Sequence, residues 1–168
     1  MSPDICLVTT IDDIEAVSNL AREIWTSHYT PIIGKPQVDY MLENFQNTKS
    51  ISNQISEGCE YYLAKTGNEY VGYMALNADP VARKMKISKI YTLGKVRGTG
   101  VGNSLLDHTE NICTSRDISR LWLTVNKNND HAISWYKHHG FVVKDAVKVD
   151  IGGGFYMDDY VMEKVLEQ

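Results

Sequence analysis

Between residues 12 and 28, Ile14, Val17, Leu20, Ala21 and Ile24 recur at intervals of three and four, the spacing that gives a helix one apolar face. Thr10, with Asp13 three residues later, resembles a capping pair, and acid in a first turn suits the helix dipole. A short apolar run at 5–8 precedes this helix and reads as a strand. Residues 29–36 carry two prolines and Gly34, so the helix should end in an aromatic loop, after which Val38, Met41, Leu42 and Phe45 restart a helical stripe. Residues 48–58 have too weak a stripe to predict more than a marginal helix.

Beyond this point the period changes from helical to extended. Residues 60–66 and 70–77 read as strands around the turn signal Gly67-Asn68, which makes a hairpin, and 84–92 as a third strand. In that third strand Met85, Ile87, Lys89 and Tyr91 alternate with Lys86, Ser88, Ile90 and Thr92, so its polarity is blurred. A helical stripe follows through Val101, Leu105, Thr109, Ile112 and Cys113. Then come a strand at 121–125, a helix at 130–139 closed by Gly140, a strand at 141–149, and a last strand at 155–165 after three glycines. The order is strand, two helices, three strands, helix, strand, helix, two strands, a mixed α/β domain without the regular alternation of a doubly wound sheet.

Composition narrows the class. The 168 residues suit one domain, and 43% hydrophobic with 23% charged residues is the balance of a folded globular chain. A net charge of −4 with no basic run leaves no footprint for nucleic acid. No stretch approaches the roughly 20 apolar residues that span a bilayer, and the first residues lack a basic segment leading into an apolar one, so no membrane partner and a cytoplasmic location are expected. Cys6, Cys59 and Cys113 are odd in number and form no C-x-x-C pair, and no histidine has the spacing of a zinc motif, so neither a disulfide framework nor a metal site is expected.

The chemical signal lies at residues 96–102, VRGTGVG, three glycines at alternate positions just before a helix. A nucleotide-hydrolysing P-loop needs a lysine where Asn103 stands, and in a dinucleotide fingerprint the third glycine would come one residue after Gly102. Both spacings fail. What remains is a loop free of Cβ atoms, whose N–H groups can converge on an anion at a helix N-terminus, or an empty strand-to-helix turn.

Residues 89–106, KIYTLGKVRGTGVGNSLL, are similar to the acyl-CoA signature [RQ]-x-x-G-x-[GA] of the GNAT superfamily of N-acyltransferases, here at Arg97, Gly98, Thr99, Gly100, Val101 and Gly102. Gly94 stands where that family often has proline. A second block, NNDHAISWYKHHGF, resembles the family's N-x-x-A-x-x-x-Y-x-x-x-G-F through Asn129, Ala132, Tyr136, Gly140 and Phe141. The resemblance implies a single domain over residues 1–168, with a mostly antiparallel sheet of about six or seven strands and about four flanking helices. It implies transfer of an acetyl group from acetyl-CoA to a primary amine, with a non-catalytic acyl-CoA sensor on the same fold as the alternative.

By the same resemblance, N–H groups from Gly98 to Asn103 hold the CoA pyrophosphate, and Ile90, Tyr91 and Thr92 pair with the pantetheine arm. Asn129 lies near that arm, and Tyr136 sits beside the sulfur as the acid for the leaving thiolate. Asn129 and Tyr136 are two helical turns apart and can share a face. The acceptor side is implied to carry Trp25, His28, Tyr29, Tyr40, Phe155, Tyr156, Asp158 and Asp159, with Trp25, Tyr29, Tyr156 and Asp158 as the candidate binding residues. Asp39, Glu43, Glu60, Asp158 and Asp159 all offer a carboxylate base, and the sequence does not choose among them. The terminal edge strand offers a surface on which a second copy could pair.

Overall fold

The computed structural model describes residues 2–166; Met1, Glu167 and Gln168, the ends of the domain expected over 1–168, lie outside the described residues. β1 (Asp4–Leu7) leads into α1 (Ile11–His28), whose start is closed reciprocally. The Thr10 hydroxyl accepts from the Asp13 N–H at 3.1 Å, and the Asp13 carboxylate accepts from the Thr10 N–H at 3.3 Å. Val17, Leu20, Ala21 and Ile24 are buried as their spacing predicts, and Trp25 joins them.

Residues 29–36 are more ordered than the loop expected from their prolines. Pro31 and Pro36 fall in the first turns of α2 (Thr30–Ile33) and α3 (Lys35–Phe45), where a missing N–H costs nothing, and Gly34 between them takes a φ of 86°. The prolines that stop one helix start the next two. Residues 48–56 form α4 (Thr48–Ser56), held by Asn47, whose side chain accepts from the Ser50 N–H at 2.7 Å, and by the buried Ile51. Burying such a side chain contributes roughly 1.5–3 kcal/mol, enough to fix a helix whose stripe is weak. With α5 (Val101–Ser115) and α6 (Asp130–His138) the helices number six among the described residues, against about four expected, the additions being α2 and α4.

The remaining strands are β2 (Glu60–Thr66), β3 (Glu69–Asp79), β4 (Lys84–Thr92), β5 (Arg120–Asn126), β6 (Val142–Gly152) and β7 (Phe155–Val165). All seven form one sheet in the order β1-β2-β3-β4-β5-β7-β6, antiparallel throughout except between β4 and β5. α1 packs on β3 and β4 from one side, and α5 on the same strands. β6 leaves one long edge open, with Val142, Val143 and Val149 exposed. Among the described residues no helix is long and apolar enough to cross a membrane.

Two irregularities in β4 set up the site. Parallel pairing with β5 covers only Lys84–Lys86 against Arg120–Trp122, and beyond it the two strands part. On the other edge Leu76 pairs with Ile87 but Ala75 with Lys89, so Ser88 is an extra residue in β4. Side chains therefore change face at Ser88. Ile87 shares a face with Leu76, whereas Lys89 shares the opposite face with Ala75 and donates to the Phe45 carbonyl at 3.0 Å and to Gln54 Oε1 at 3.1 Å. The blurred polarity of this strand is the trace of that change of phase.

Candidate functional site

Where β4 and β5 part, a cavity of about 370 Å³ opens between them, walled by α1, the loop before α5, the start of α6 and β7. A continuous sheet has no such gap, because each strand edge is filled by its neighbour. Ile90, Tyr91 and Thr92 lie on the stretch of β4 that has left β5, and all three line the cavity.

One end of the cavity is made of backbone. Gly98 and Gly100 take φ values of 80° and 94°, a conformation that side chains with a Cβ rarely adopt, and Gly100 is the residue from which α5 starts. The Thr99 N–H bonds the Val96 carbonyl at 3.1 Å and the Ser104 N–H bonds the Gly100 carbonyl at 2.9 Å. Among the described residues the N–H groups of Gly98, Gly100, Val101, Gly102 and Asn103 find no such acceptor, and no side chain caps α5, although α1, α4 and α6 are all capped by side chains. Unfilled N–H groups at the positive end of a 15-residue helix make a seat for an anion. Gly102 serves a different need: a Cβ there would stand 3.3 Å from Trp135 Cζ2, so its absence lets the indole lie against the helix start. Arg97, Gly98, Gly100, Gly102 and Asn103 line the cavity. Thr99 and Val101 do not, because the Thr99 hydroxyl turns back to the Val96 carbonyl at 2.5 Å and Val101 is buried in the core.

Asn129 caps α6 and joins three elements. Its Oδ1 accepts from the Ala132 N–H at 3.5 Å and lies 3.3 Å from His28 Nε2, and its Nδ2 donates to the Tyr29 hydroxyl at 3.2 Å. Arg97 Nη2 is 3.4 Å from His28 Nδ1. A neutral His28 with its proton on Nε2 satisfies both contacts, donating to Asn129 and accepting from Arg97. Burial, with Arg97 close by, lowers the His28 pKa below its usual value against the opposing pull of the Asn129 bond, and so favours that neutral form. Tyr136, 8% exposed, sits against Trp135 and Phe141. Burial raises its pKa well above that of a free phenol, so the hydroxyl stays protonated at any physiological pH.

The other end is aromatic. Trp25 and Tyr29 stack with ring centroids 4.3 Å apart, and Tyr91 meets both edge-on. Burial takes the Tyr29 phenol up to about 12. The carboxylate in this wall is Asp159, which is 3% exposed. Its neighbour Asp158 points to the opposite face of β7, where it pairs with Lys127 at 3.0 Å, and Tyr156, 50% exposed, lies beneath Lys148; neither lines the cavity. Tyr40 and Phe155 stand behind the wall, where the Tyr40 hydroxyl donates to the Ile151 carbonyl at 2.7 Å and holds the tip of the β6–β7 hairpin. Of the other carboxylates, Glu60 is forked onto Arg116 at 2.7 Å and Asp39 pairs with Lys35 at 2.6 Å, both away from the cavity, and Glu43 is likewise absent from its walls.

The sequence profile of the acetyltransferase (GNAT) family matches residues 15–141. The chain belongs to that family. Spermidine N(1)-acetyltransferase of Thermoplasma acidophilum is 23% identical to this GNAT chain over 163 residues, 94% of each. The PaiA N-acetyltransferase of Thermoplasma acidophilum, solved in complex with coenzyme A, superposes with a TM-score of 0.83 at 24% identity, covering 98% of this chain and 99% of that one. The ribosomal-protein-S18-alanine N-acetyltransferase of Escherichia coli superposes with a TM-score of 0.74 at 16% identity, covering 99% and 95%. The protein is thus a GNAT N-acetyltransferase.

Sequence reasoning missed Thr124, Asn126 and Met157, which line the cavity of this GNAT domain, and the contact of Trp135 with Gly102. Thr124 and Asn126 alternate with the buried Leu123 and Val125 along β5, so the period-2 pattern placed them on the less buried face. That this face borders a gap could not be read, because the gap depends on where pairing with β4 stops.

Proposed function

We propose that the protein transfers an acetyl group from acetyl-CoA to a primary amine by direct attack in a ternary complex. The observation that carries this reading is the parting of β4 from β5 beside the uncapped start of α5, which puts free strand edge and free helix N–H groups on one cavity. The residues fit the donor. The N–H groups of Gly98, Gly100, Val101, Gly102 and Asn103 would hold its pyrophosphate, and the freed edge at Ile90, Tyr91 and Thr92 would pair with the amides of its pantetheine arm. The same edge would supply a donor for the thioester oxygen, a contribution of a few kcal/mol. The thioester supplies an electrophilic carbonyl and a thiolate leaving group.

Asn129 orients the site through His28 and Tyr29. Tyr136 faces the departing sulfur and acts by donating a hydrogen bond without surrendering its proton. A thiol has a pKa of about 8.5, lower than a phenol that burial has pushed above 10, so full transfer from Tyr136 to sulfur runs uphill. The thiol's proton comes from the attacking nitrogen instead. A free amine with a pKa near 10.4 is mostly protonated at neutral pH, and its deprotonation accounts for roughly 4–5 kcal/mol of the barrier. The naming of the Thermoplasma acidophilum relative for spermidine supports an amine acceptor. The test is thiol release from acetyl-CoA across a panel of amines, with acetyl-CoA binding measured separately; binding without thiol release from any amine refutes the proposal.

A further inference from the structure

We propose that Asp159 is the seat of the acceptor's reacting amine and takes its proton, and that the acceptor carries this amine on an uncharged apolar arm. This rests on the reading of the protein as an amine acetyltransferase and adds the chemistry of its acceptor.

Asp159 Oδ1 is buried, lines the cavity and has no hydrogen-bond partner among the described residues. Such an atom is costly to desolvate unless a cation or donor meets it. The carboxylates of Glu60, Glu110, Glu163 and Asp158 all have a lysine or arginine within 3.2 Å, whereas Asp159 forms no ion pair among the described residues. Three cationic or titratable groups act on it at longer range: Lys86 from β4, Lys127 after β5 and Asp158 on its own strand, while Tyr29 faces it from α1. The charge of Asp159 acts on the Tyr29 phenol and Tyr29 in turn acts on Tyr136, so the carboxylate and the Tyr136 hydroxyl share one end of the cavity.

The rest of the cavity defines the arm. Ile24, Trp25, Ile33 and Met157 give an apolar path, and apart from the tyrosines the other side chains there that can bear charge, Lys89, Arg97, His28 and His131, are basic. A second ammonium would find no second carboxylate, and a carboxylate on the carbon next to the amine would lie against Asp159. Linear alkylamines and arylalkylamines meet both conditions; polyamines fail the first and α-amino acids the second.

The step balances as follows. The ammonium gives one proton to the Asp159 carboxylate, and the neutral nitrogen attacks the thioester carbon. The C–N bond forms and the C–S bond breaks. A second proton leaves nitrogen to make the thiol, the third stays on the amide, and Asp159 returns its proton to water.

The experiment measures thiol release by the full chain with acetyl-CoA and hexylamine, phenethylamine, spermidine or alanine, in the natural protein and in Asp159→Asn, with acetyl-CoA affinity by calorimetry. The expected result is at least tenfold higher kcat/KM for hexylamine and phenethylamine than for spermidine and alanine. Asp159→Asn should lose about a hundredfold or more in kcat/KM, hold its acetyl-CoA affinity within about twofold, and lose the acid limb of the pH profile, which burial of the carboxyl centres at about 6. Spermidine or alanine as the best substrate overturns the acceptor class. Unchanged kcat/KM or an unchanged acid limb in Asp159→Asn overturns the seat. If acetyl-CoA binds but no amine releases thiol, the transfer reading fails, and the seat is then judged by hexylamine binding to the CoA complex, which must vanish in Asp159→Asn.

Discussion

Replacing Asp159 by asparagine should stabilise the protein against neutral pH while removing its activity. Burial raises the carboxyl from its ordinary 3.8 to about 6, the nearby Thr124 hydroxyl opposing only part of the shift. A rise of about 2 units at 1.36 kcal/mol each is ~3 kcal/mol. The folded state binds this proton more tightly than the unfolded chain does, so stability is fully present below about pH 3.8 and is lost as pH rises through about 6. Asparagine carries no such proton. The difference in unfolding free energy, variant minus natural protein, should therefore grow by ~3 kcal/mol between about pH 3.5 and pH 7 and then stay level.

Urea unfolding followed by circular dichroism at half-unit pH steps reads this directly. With a slope of about 1–3 kcal/mol per molar, the gap between midpoints should widen by roughly 1–3 M. Other titrating groups cancel in the difference, as does any fixed cost of placing an amide where a protonated carboxyl stood. A difference that is flat in pH, or that shrinks towards neutrality, refutes the claim that a buried, unpaired carboxylate is held charged at this point.

Four further outcomes follow from the geometry. Gly100→Ala should cost about 1–2 kcal/mol in thermal or urea unfolding through left-handed strain and weaken acetyl-CoA binding, whereas Gly102→Ala, helical but 3.3 Å from Trp135, should cost less than about 1 kcal/mol. Tyr136→Phe should lower kcat about a hundredfold with acetyl-CoA affinity unchanged, as seen in steady-state thiol release and calorimetry. His28→Phe removes the acceptor for Arg97 and the donor to Asn129, so acetyl-CoA affinity should fall about tenfold; in the natural protein affinity should fall as acid protonates His28, and in the variant that dependence should be absent. Gly153→Ala would set a Cβ 2.8 Å from Tyr40 Cε2 at a φ of 60°, so the hairpin tip should shift and raise KM for the amine with little change in kcat.

The glycine-loop end of the cavity was legible because its geometry is local. Gly98, Gly100 and the start of α5 lie within a few residues of one another, and the φ values that leave the N–H groups free follow from having no Cβ. The same holds for Asn129, whose side chain caps the helix that carries Tyr136 two turns on. Helices were legible where stripes were strong; α4 was not, because the Asn47 cap and the buried Ile51 hold it in place of periodicity, and α2 was not, because its four residues after Tyr29 are too few to show a period.

The end of the cavity at Asp159 depends on register, which a sequence with two apolar faces does not specify. Along β7, Phe155, Met157 and Val161 alternate with Tyr156, Tyr160 and Met162, so each face reads as apolar and Asp158 and Asp159 are equally placed to point inward. The pairing of Asp159 with Asn126, on the face of β5 that borders the gap, decides it. A one-residue slip of β7 would bring Asp158 to the cavity in its place, and Lys127 would then lose its partner at 3.0 Å. Which carboxylate reaches the cavity is therefore a property of sheet pairing. Its signature is that Asp158→Asn should leave both kcat/KM and the acid limb of the pH profile as they are, while Asp159→Asn removes both; matched losses in the two variants would mean that β7 does not hold a single register.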